Sequence, residues 1–345
     1  MAAKSWVSTQ TAVAVSVFLA LFALLFQYRI LSLLKRLGAN VNPIGTKLPI
    51  NLDFPNAPQW LLPFYHTLDY LNIVWFTTLL GLFIAGAMIA FVPDILFSRL
   101  RGNGLKQNFV AALLGIPNML CTCCAASPLA GLRKAGASFG PALTFFVTAP
   151  ALNIVVIILA FEMLPLKLAL ARLLLGVVAA LGVTSVVAKL IPDTVEEYGP
   201  ATESRREATI GQLMRRWLLS TWDVVRTVVP LLLAGMFVIG VFKTAFSFET
   251  VAKQFGEGIV PTLAAAVLGT VLMVPTFTEV IWVSEFTKQG MGIGPAVALL
   301  ITLPAVSFPS LWVAGRVLRS YKVAVTLGVL ILGLGVAGGA VFSMV

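Results

Sequence analysis

The sequence GASFGPALTFFVTAPA at residues 136–151 returns without a gap as GMGIGPAVALLITLPA at residues 290–305, an offset of 154 positions. Both copies are apolar, and each carries a proline near its end, Pro150 in the first and Pro304 in the second. In the hydrocarbon core of a membrane every backbone N–H and C=O needs a partner. A proline that opens a helix there is therefore tolerated only where the freed groups face protein or a polar cavity. Matching breaks in two halves of a chain are a sequence-level indication of a transport site, so the segment predicts a membrane transporter.

The composition places the chain among polytopic membrane proteins. Of its 345 residues, 59% are hydrophobic and 11% are charged, and the mean hydropathy is +0.97. The net charge of +10 comes from basic residues in short clusters between apolar stretches, which is where topology signals lie, so we expect no nucleic-acid partner. Three cysteines within one four-residue window and one histidine, His66, exclude a disulfide framework and a histidine-rich metal site. We expect no cofactor and no enzymatic activity.

Hydropathy, at about 20 residues per spanning helix, predicts seven spans. They lie near residues 11–34, 71–97, 138–161, 166–190, 217–244, 294–315 and 323–344. The first is too long for a signal-peptide core and is expected to remain as a membrane helix. Two further apolar stretches, 107–132 and 259–287, have polar, proline-containing centres and could either cross the membrane or re-enter as hairpins.

The distribution of Lys and Arg favours the re-entrant alternative. The positive-inside rule asks for the basic loop clusters on the cytoplasmic side. They are Arg99, Arg101 and Lys106; Arg133 and Lys134; the basic residues from Lys189 through Arg216; and Arg316, Arg319 and Lys322. With hairpins, each half has three crossings, so the two copies are inverted and Lys288 falls outside. Full crossings would instead give a parallel duplication. One observation argues against the inverted alternative: the predicted outer side of the first helix carries Arg29, Lys35 and Arg36.

The predicted fold class is all-α: a polytopic membrane protein with two structural repeats, inverted by preference, containing broken helices and re-entrant hairpins. Residues 1–69 form an N-terminal helix and an extracytoplasmic loop, 70–190 the first repeat, 191–216 a polar cytoplasmic linker and 217–345 the second repeat. The expected helix-breaking residues are Pro128, Pro150, Pro275 and Pro304.

The most unusual side chains are Cys121, Cys123 and Cys124. In a continuous helix, Cys121 and Cys124 share a face and Cys123 points elsewhere. At a helix break two thiols could converge on one soft atom, because thiolates favour soft metals and metalloids. The alternative is that the three are small buried residues packing a helix crossing.

Polar residues follow the two proline breaks. Thr148 precedes Pro150, Asn153 comes three residues after it, and Ser307 is the copy of Asn153 in the second half. Unwound backbone at these breaks can hold a polar group near the middle of the membrane. Alternatively, Asn153 and Ser307 cap a neighbouring helix, and the two roles are compatible.

Charged residues within the apolar stretches are a further candidate group. Glu279, which follows Thr278 in the second polar centre, corresponds to Ala125 in the first half. An acidic group inside a membrane is costly, so Glu279 is a candidate proton carrier or cation contact unless the hairpin is shallow and the carboxylate is solvated. Asp223 and Arg226, three residues apart, are expected to pair. Arg172 is expected to extend to the membrane interface.

These motifs resemble a family of predicted permeases that includes the ArsP organoarsenical efflux permeases, over about residues 70–345. Its members show Cys-Ser-Cys-Gly, an apolar pair and Pro-Leu, then a basic turn with Gly, then Ala-Pro-x-x-Asn. Here the first segment reads Cys-Thr-Cys-Cys-Ala-Ala-Ser-Pro-Leu (121–129), followed by Arg-Lys-Ala-Gly (133–136) and Ala-Pro-Ala-Leu-Asn (149–153). Glu279 and Phe-Pro-Ser at 308–310 also look familial.

The resemblance implies that Cys121 and Cys123 are candidate ligands. Two departures from the family pattern could alter the choice of substrate. Cys124 stands where the family has glycine, and the following proline is displaced by one residue, with Ser127 in its place.

The expected function is secondary transport, with export of a small thiophilic solute such as a trivalent organoarsenical. The expected location is the bacterial cytoplasmic (inner) membrane, with membrane lipid as a partner, H⁺ as the candidate coupling ion and a homodimer left open. Soft metal cations of the copper or zinc type are the nearest alternative cargo. A channel with paired re-entrant half-helices and a membrane thiol oxidoreductase are the rival classes.

Overall fold

A computed structural model describes Pro58, scattered helical positions between 16 and 34, and residues 61–91, 100–102, 104–118, 120–134, 136–191, 210–245, 255–274 and 278–344. These parts are helical and contain no strand. The helices are α1 (Leu62–Phe91), α2 (Leu105–Gly115), α3 (Thr122–Lys134), α4 (Phe139–Ala151), α5 (Ile154–Met163), α6 (Leu166–Val177), α7 (Thr184–Leu190), α8 (Ile210–Ala245), α9 (Ile259–Val271), α10 (Thr278–Lys288), α11 (Ile293–Ala305), α12 (Phe308–Val317) and α13 (Tyr321–Met344). A 3₁₀ turn, Ile116–Asn118, follows α2, and a π-helical turn, Val178–Val183, joins α6 to α7.

The all-α membrane fold is confirmed. Within the described residues, five helical stretches are long and apolar enough to cross a membrane: Phe139–Met163, Leu166–Leu190, Gly211–Val238, Ile293–Val317 and Tyr321–Met344. In the two that contain the proline breaks, 83% of the most apolar window is buried, against 33% in the spans that follow them in sequence. The broken spans therefore form the centre of the protein.

Several sequence predictions lie mainly outside the described residues. These are the span at 11–34, most of the loop at 37–69, most of the linker at 191–216, and Pro275. The division into 1–69, 70–190, 191–216 and 217–345 stays a prediction.

The segment that contains α2 and α3 both begins and ends beside the first residues of α4. Before α2, the carbonyl of Leu100 accepts a hydrogen bond from the Ser138 N–H at 3.0 Å, and the Gly102 N–H donates to Ser138 Oγ at 2.7 Å. At the other end of α2, a Cβ on Gly115 would lie 3.0 Å from Thr148 Cβ, so α2 extends along α4 to the level of its break. The chain then turns, and α3 returns to end at Lys134, four residues before Ser138. Both helices pack on α4. This helical hairpin has the geometry expected of a re-entrant segment, and re-entry into the membrane stays a prediction that it supports.

The segment that contains α9 and α10 follows the same path beside α11. The Gly292 N–H donates to the Phe255 carbonyl at 3.0 Å, which joins the approach to α9 with the start of α11. Gly269, near the far end of α9, lies so close to Thr302 that an added Cβ would clash with its hydroxyl. Gly269 and Thr302 are the copies of Gly115 and Thr148 at the offset of 154. The bounds of α11 and α12 also repeat those of α4 and α5 at that offset.

The turns that close both segments require glycine. Gly136 and Gly290 have φ values of 94° and 99°, in the left-handed region that side chains disfavour. After α3, the Gly136 N–H donates to the Arg133 carbonyl at 3.1 Å and the Ala137 N–H to the Leu132 carbonyl at 2.9 Å. This pair of bonds is a Schellman motif, which satisfies the last carbonyls of a helix. It explains why Gly recurs at this point of both copies.

The two broken spans run in opposite directions. At one end, the Ser307 hydroxyl before α12 lies 3.4 Å from the Thr122 hydroxyl at the start of α3. At the other end, Lys134 of α3 and Arg316 of α12 line one cavity. Thus α12 is parallel to α3, and α3 is antiparallel to α4. Antiparallel spans are what inverted halves require, and the inverted duplication itself stays a prediction that these directions support.

Candidate functional site

The first break lies between α4 and α5. Helix α4 ends one residue after Pro150, and Asn153 caps α5, its Oδ1 accepting hydrogen bonds from the N–H groups of Val155 (3.1 Å) and Val156 (3.4 Å). Asn153 is fully buried, and its Nδ2 has no hydrogen-bond partner in the part of the chain that the structure describes. Thr148 Oγ1 donates to the Thr144 carbonyl one turn earlier at 2.7 Å. The capping alternative therefore holds for Asn153, and its amide N–H groups remain available at the break.

The second break lies between α11 and α12 and touches the cysteine helix. Ser307 caps α12 in a reciprocal capping box with Ser310, in which the Ser307 N–H donates to Ser310 Oγ at 2.9 Å. The Ser307 hydroxyl is fully buried and reaches Thr122 of α3. The break in the second half thus lies against the first turn of α3 from the first half.

Two of the three cysteines meet at that first turn. Cys121 and Cys124 are buried and joined by a disulfide, with their Cα atoms 5.1 Å apart. The Cys124 Sγ lies 3.7 Å from the Thr77 hydroxyl and 3.8 Å from the Thr78 hydroxyl, both on α1. The side chain of Cys123 lies outside the described residues. The structure therefore brings together the pair that shares a helical face, Cys121 and Cys124, whereas the family resemblance pointed to Cys121 and Cys123.

Pro128 does not break a helix, contrary to the expectation. It lies inside α3, which runs from Thr122 to Lys134. A proline removes the hydrogen bond to the carbonyl four residues earlier, here that of Cys124. That carbonyl lies against Gly81 of α1, where an added Cβ would be only 3.3 Å from the oxygen. Pro128 thus lies within a continuous helix, and the carbonyl that it frees is packed against Gly81.

Glu279 forms a buried ion pair with Arg172. Glu279, in the first turn of α10, and Arg172, in α6, are 2% and 1% exposed, and Arg172 Nη2 lies 3.2 Å from Glu279 Oε1. The expectation that Arg172 reaches the membrane interface is wrong, because its side chain is buried inside the protein and both Nη atoms bind protein acceptors. The surface-solvated alternative for Glu279 is also excluded. Thr278, which precedes it, is half-buried.

The same guanidinium compensates for a proline. Pro304 cannot donate to the carbonyl four residues earlier, which is that of Leu300. Arg172 Nη1 donates to this carbonyl at 2.9 Å. One side chain from the first half therefore holds both the carboxylate of α10 and the backbone opened by the break in α11.

The site residues form two groups. Cys121 and Cys124 belong to one cluster of buried residues, together with Val306 of the second break. Val280, which follows Glu279, and Leu300, whose carbonyl accepts from Arg172, belong to another cluster, which also contains Val155 and Val156 of α5. Sequence reasoning missed Thr77, Thr78, Thr122 and the role of Arg172. The signal for Arg172 was present, since two opposite charges within apolar stretches and a proline-freed carbonyl all need partners.

The predicted pair Asp223 and Arg226 is confirmed, with Oδ1 and Nη2 3.6 Å apart on α8. Asp223 also forms an ion pair with Lys134 at the end of α3. In the described residues, no group of three or more His, Cys, Asp or Glu side chains is arranged to hold a metal ion.

A family model described as predicted permease, ArsP_1, matches residues 61–344. The chain belongs to this permease family. The permease is 30% identical to the UPF0718 protein YraQ of Escherichia coli (strain K12) over 275 residues, which cover 79% of this chain and 78% of that protein. It is 23% identical to the UPF0718 protein MJ0584 of Methanocaldococcus jannaschii over 339 residues, covering 77% of this chain and 91% of that protein. No solved structure matches the chain.

The family confirms the resemblance drawn from the motifs, and the permease is an integral membrane protein with a transport role. Neither relative's name states a solute. The chemistry of the cysteine pair and of the charged pair is therefore the basis for proposing a solute and a coupling ion.

Proposed function

We propose that the permease is a secondary transporter of the bacterial cytoplasmic membrane that exports a small thiophilic solute, such as a trivalent organoarsenical. The observation that carries the proposal is the convergence of Cys121 and Cys124 beside the break at Ser307. Cytosolic thiols keep cysteines reduced, so in the cell the pair would present two thiols within one helical turn.

Two adjacent thiols match a monosubstituted trivalent arsenical. Its two As–OH groups exchange with two S–H groups, so two As–S bonds form and two water molecules leave. The exchange involves no oxidant and is reversed by water or by another thiol, so it can load and release cargo. The remaining organic substituent would lie among the apolar residues of the same cluster, which include Leu120 and Met273.

The charged pair supplies a candidate for coupling to H⁺. Protonation of Glu279 would remove its attraction to Arg172 and weaken the link between α6 and the segment of α10 and α11. A carboxylic acid that charges and discharges within a membrane segment is typical of proton-coupled transporters. Coupling predicts that Glu279→Gln transports the solute down its own gradient but does not respond to a pH gradient.

Transport into inside-out membrane vesicles tests the thiol site. We expect uptake of trivalent phenylarsenical to be saturable in the wild type and lost in Cys121→Ser and in Cys124→Ser. Cys123→Ser, which removes one thiol from the same helix, is the matched control and should retain transport. All variants are first checked for membrane level and thermal stability.

Unchanged transport in both Cys121→Ser and Cys124→Ser would remove the thiol mechanism. Copper(I) and zinc, assayed in parallel, decide whether the same thiols serve a soft metal cation instead. Flux that rises linearly with arsenical concentration would indicate a pore rather than a carrier.

A further inference from the structure

A polar cavity lies away from the cysteines, at the opposite end of α3. Its volume is about 500 Å³, within the range of about 300–1,000 Å³ typical of small-molecule sites. The lining comes from α3, α8 and the turn between α12 and α13, and it includes Arg133, Lys134, Thr227, Arg316, Arg319 and Tyr321. Four of these residues are cationic and none is acidic.

The charge in this cavity is only partly neutralised. Lys134 pairs with Asp223, and Arg133 Nη1 donates to the Ala137 carbonyl at 2.8 Å. For Arg316 and Arg319, no ion pair with a carboxylate occurs among the described residues. Arg316 and Arg319, both exposed, therefore line a concave site without a carboxylate partner from the described part of the protein.

The backbone at Arg319 adds an independent observation. Arg319 follows α12 with φ 51°, and among the described residues it is the non-glycine residue with positive φ. Its N–H donates to the Arg316 carbonyl at 3.2 Å and the Ser320 N–H to the Gly315 carbonyl at 2.9 Å, the same Schellman motif that closes α3 and α10. There the chain uses Gly136 and Gly290, whereas here it places an arginine in the disfavoured conformation. Such local strain concentrates at functional sites.

We propose that this cavity binds a phosphate group, either of an anionic phospholipid or of a small free phosphate. Guanidinium groups match phosphate oxygens with paired hydrogen bonds. The positive-inside rule places this end of α3 on the cytoplasmic side, where basic pockets between membrane helices bind anionic headgroups. Because the lining joins α3 to α12, an occupied cavity would tie the two halves together at this end.

Ligand binding to the purified full-length permease in neutral detergent tests the proposal. Native mass spectrometry and thermal unfolding are measured with phosphatidylglycerol and with inorganic phosphate, and sodium chloride at matched ionic strength is the control. We expect at least one phosphate probe to bind and to raise the melting temperature. Binding of phosphatidylglycerol alone assigns the site to lipid, and binding of inorganic phosphate assigns it to a free anion.

Variants distinguish ligand binding in the cavity from a general effect of positive surface charge. Arg316→Gln and Arg319→Gln should each weaken binding about tenfold, whereas Lys322→Gln, an exposed cation in the next helix that does not line the cavity, should not. Arg319→Gly relieves the backbone strain while removing the guanidinium, so it should fold at least as well as the wild type and still lose binding.

Two results would overturn the proposal. The first is that neither probe binds the wild type. The second is that the arginine variants lower the melting temperature without ligand but leave affinity unchanged, which would show that the cations only balance the negative ends of α3 and α12.

Discussion

At the scale of single residues, Arg172 connects the two halves. Its guanidinium lies 3.2 Å from the Glu279 carboxylate and 2.9 Å from the Leu300 carbonyl that Pro304 leaves open. In a low-dielectric interior, each of these acceptors is costly to leave without a donor. The proline break in α11 therefore depends on a side chain that lies in α6.

Replacing Arg172 should be strongly destabilising. Arg172→Met leaves the Glu279 carboxylate buried without its cation, and breaking a buried ion pair in this way costs about 3–5 kcal/mol of unfolding free energy. The double variant Arg172→Met/Glu279→Met should recover part of that loss, because no buried charge remains. Denaturant unfolding in detergent micelles measures the free energies of the four proteins. Additive effects of the two substitutions would show that the two side chains do not depend on each other.

The sequence alone predicts contacts between residues that are close in the chain, but not the contact between Arg172 and Glu279. The spacing of Cys121 and Cys124 on one helical face, and the caps at Asn153 and Ser307, depend only on helix geometry over a few residues. Arg172 and Glu279 are 107 positions apart, and nothing in the periodicity of either segment identifies the partner. Near a predicted span end, extension to the interface was the simpler interpretation of Arg172.

At the scale of elements, the hairpin helices pack closely through glycine. Gly131 of α3 lies against the backbone of Ala85 in α1, where an added Cβ would be 2.8 Å from the carbonyl oxygen and 3.1 Å from Cα. A backbone cannot rotate away as a side chain can, so relief requires the helices to separate.

Gly131→Ala should therefore lower the free energy of unfolding by about 1–3 kcal/mol, the usual cost of overpacking. Gly333→Ala in α13 is the matched control, because an added Cβ there would meet no atom within 4 Å. The control should be neutral or slightly stabilising, since alanine favours helix. Equal melting temperatures for the two variants would contradict the close approach of α3 and α1.

Hydropathy predicted the long spans at nearly their observed positions, because burial in lipid or protein selects continuous apolar stretches. Proline was less informative. Pro150 and Pro304 lie next to real breaks, whereas Pro128 lies within α3, where the carbonyl it frees packs on Gly81. The surroundings of each freed carbonyl come from another element, Gly81 of α1 for Pro128 and Arg172 of α6 for Pro304, so the sequence around the proline does not predict them.

At the scale of the whole molecule, the antiparallel broken spans predict an inverted topology. In a variant with all three cysteines changed to serine, Arg101→Cys and Gln289→Cys introduce single thiols at exposed positions next to the first and second hairpins. A membrane-impermeant maleimide should label the second in intact cells and the first only after permeabilisation. Labelling of both from the same side would indicate a parallel arrangement of the halves.

The most direct measurement is the mass of the reduced permease after reaction with phenylarsine oxide, a trivalent arsenical that bonds to two thiols with loss of one water. Convergence of Cys121 and Cys124 predicts one arsenic per chain in the wild type and in Cys123→Ser, and none in Cys121→Ser or Cys124→Ser. An adduct that persists in either of the last two variants, or that disappears in Cys123→Ser, would contradict the assignment of this pair as the solute-binding site.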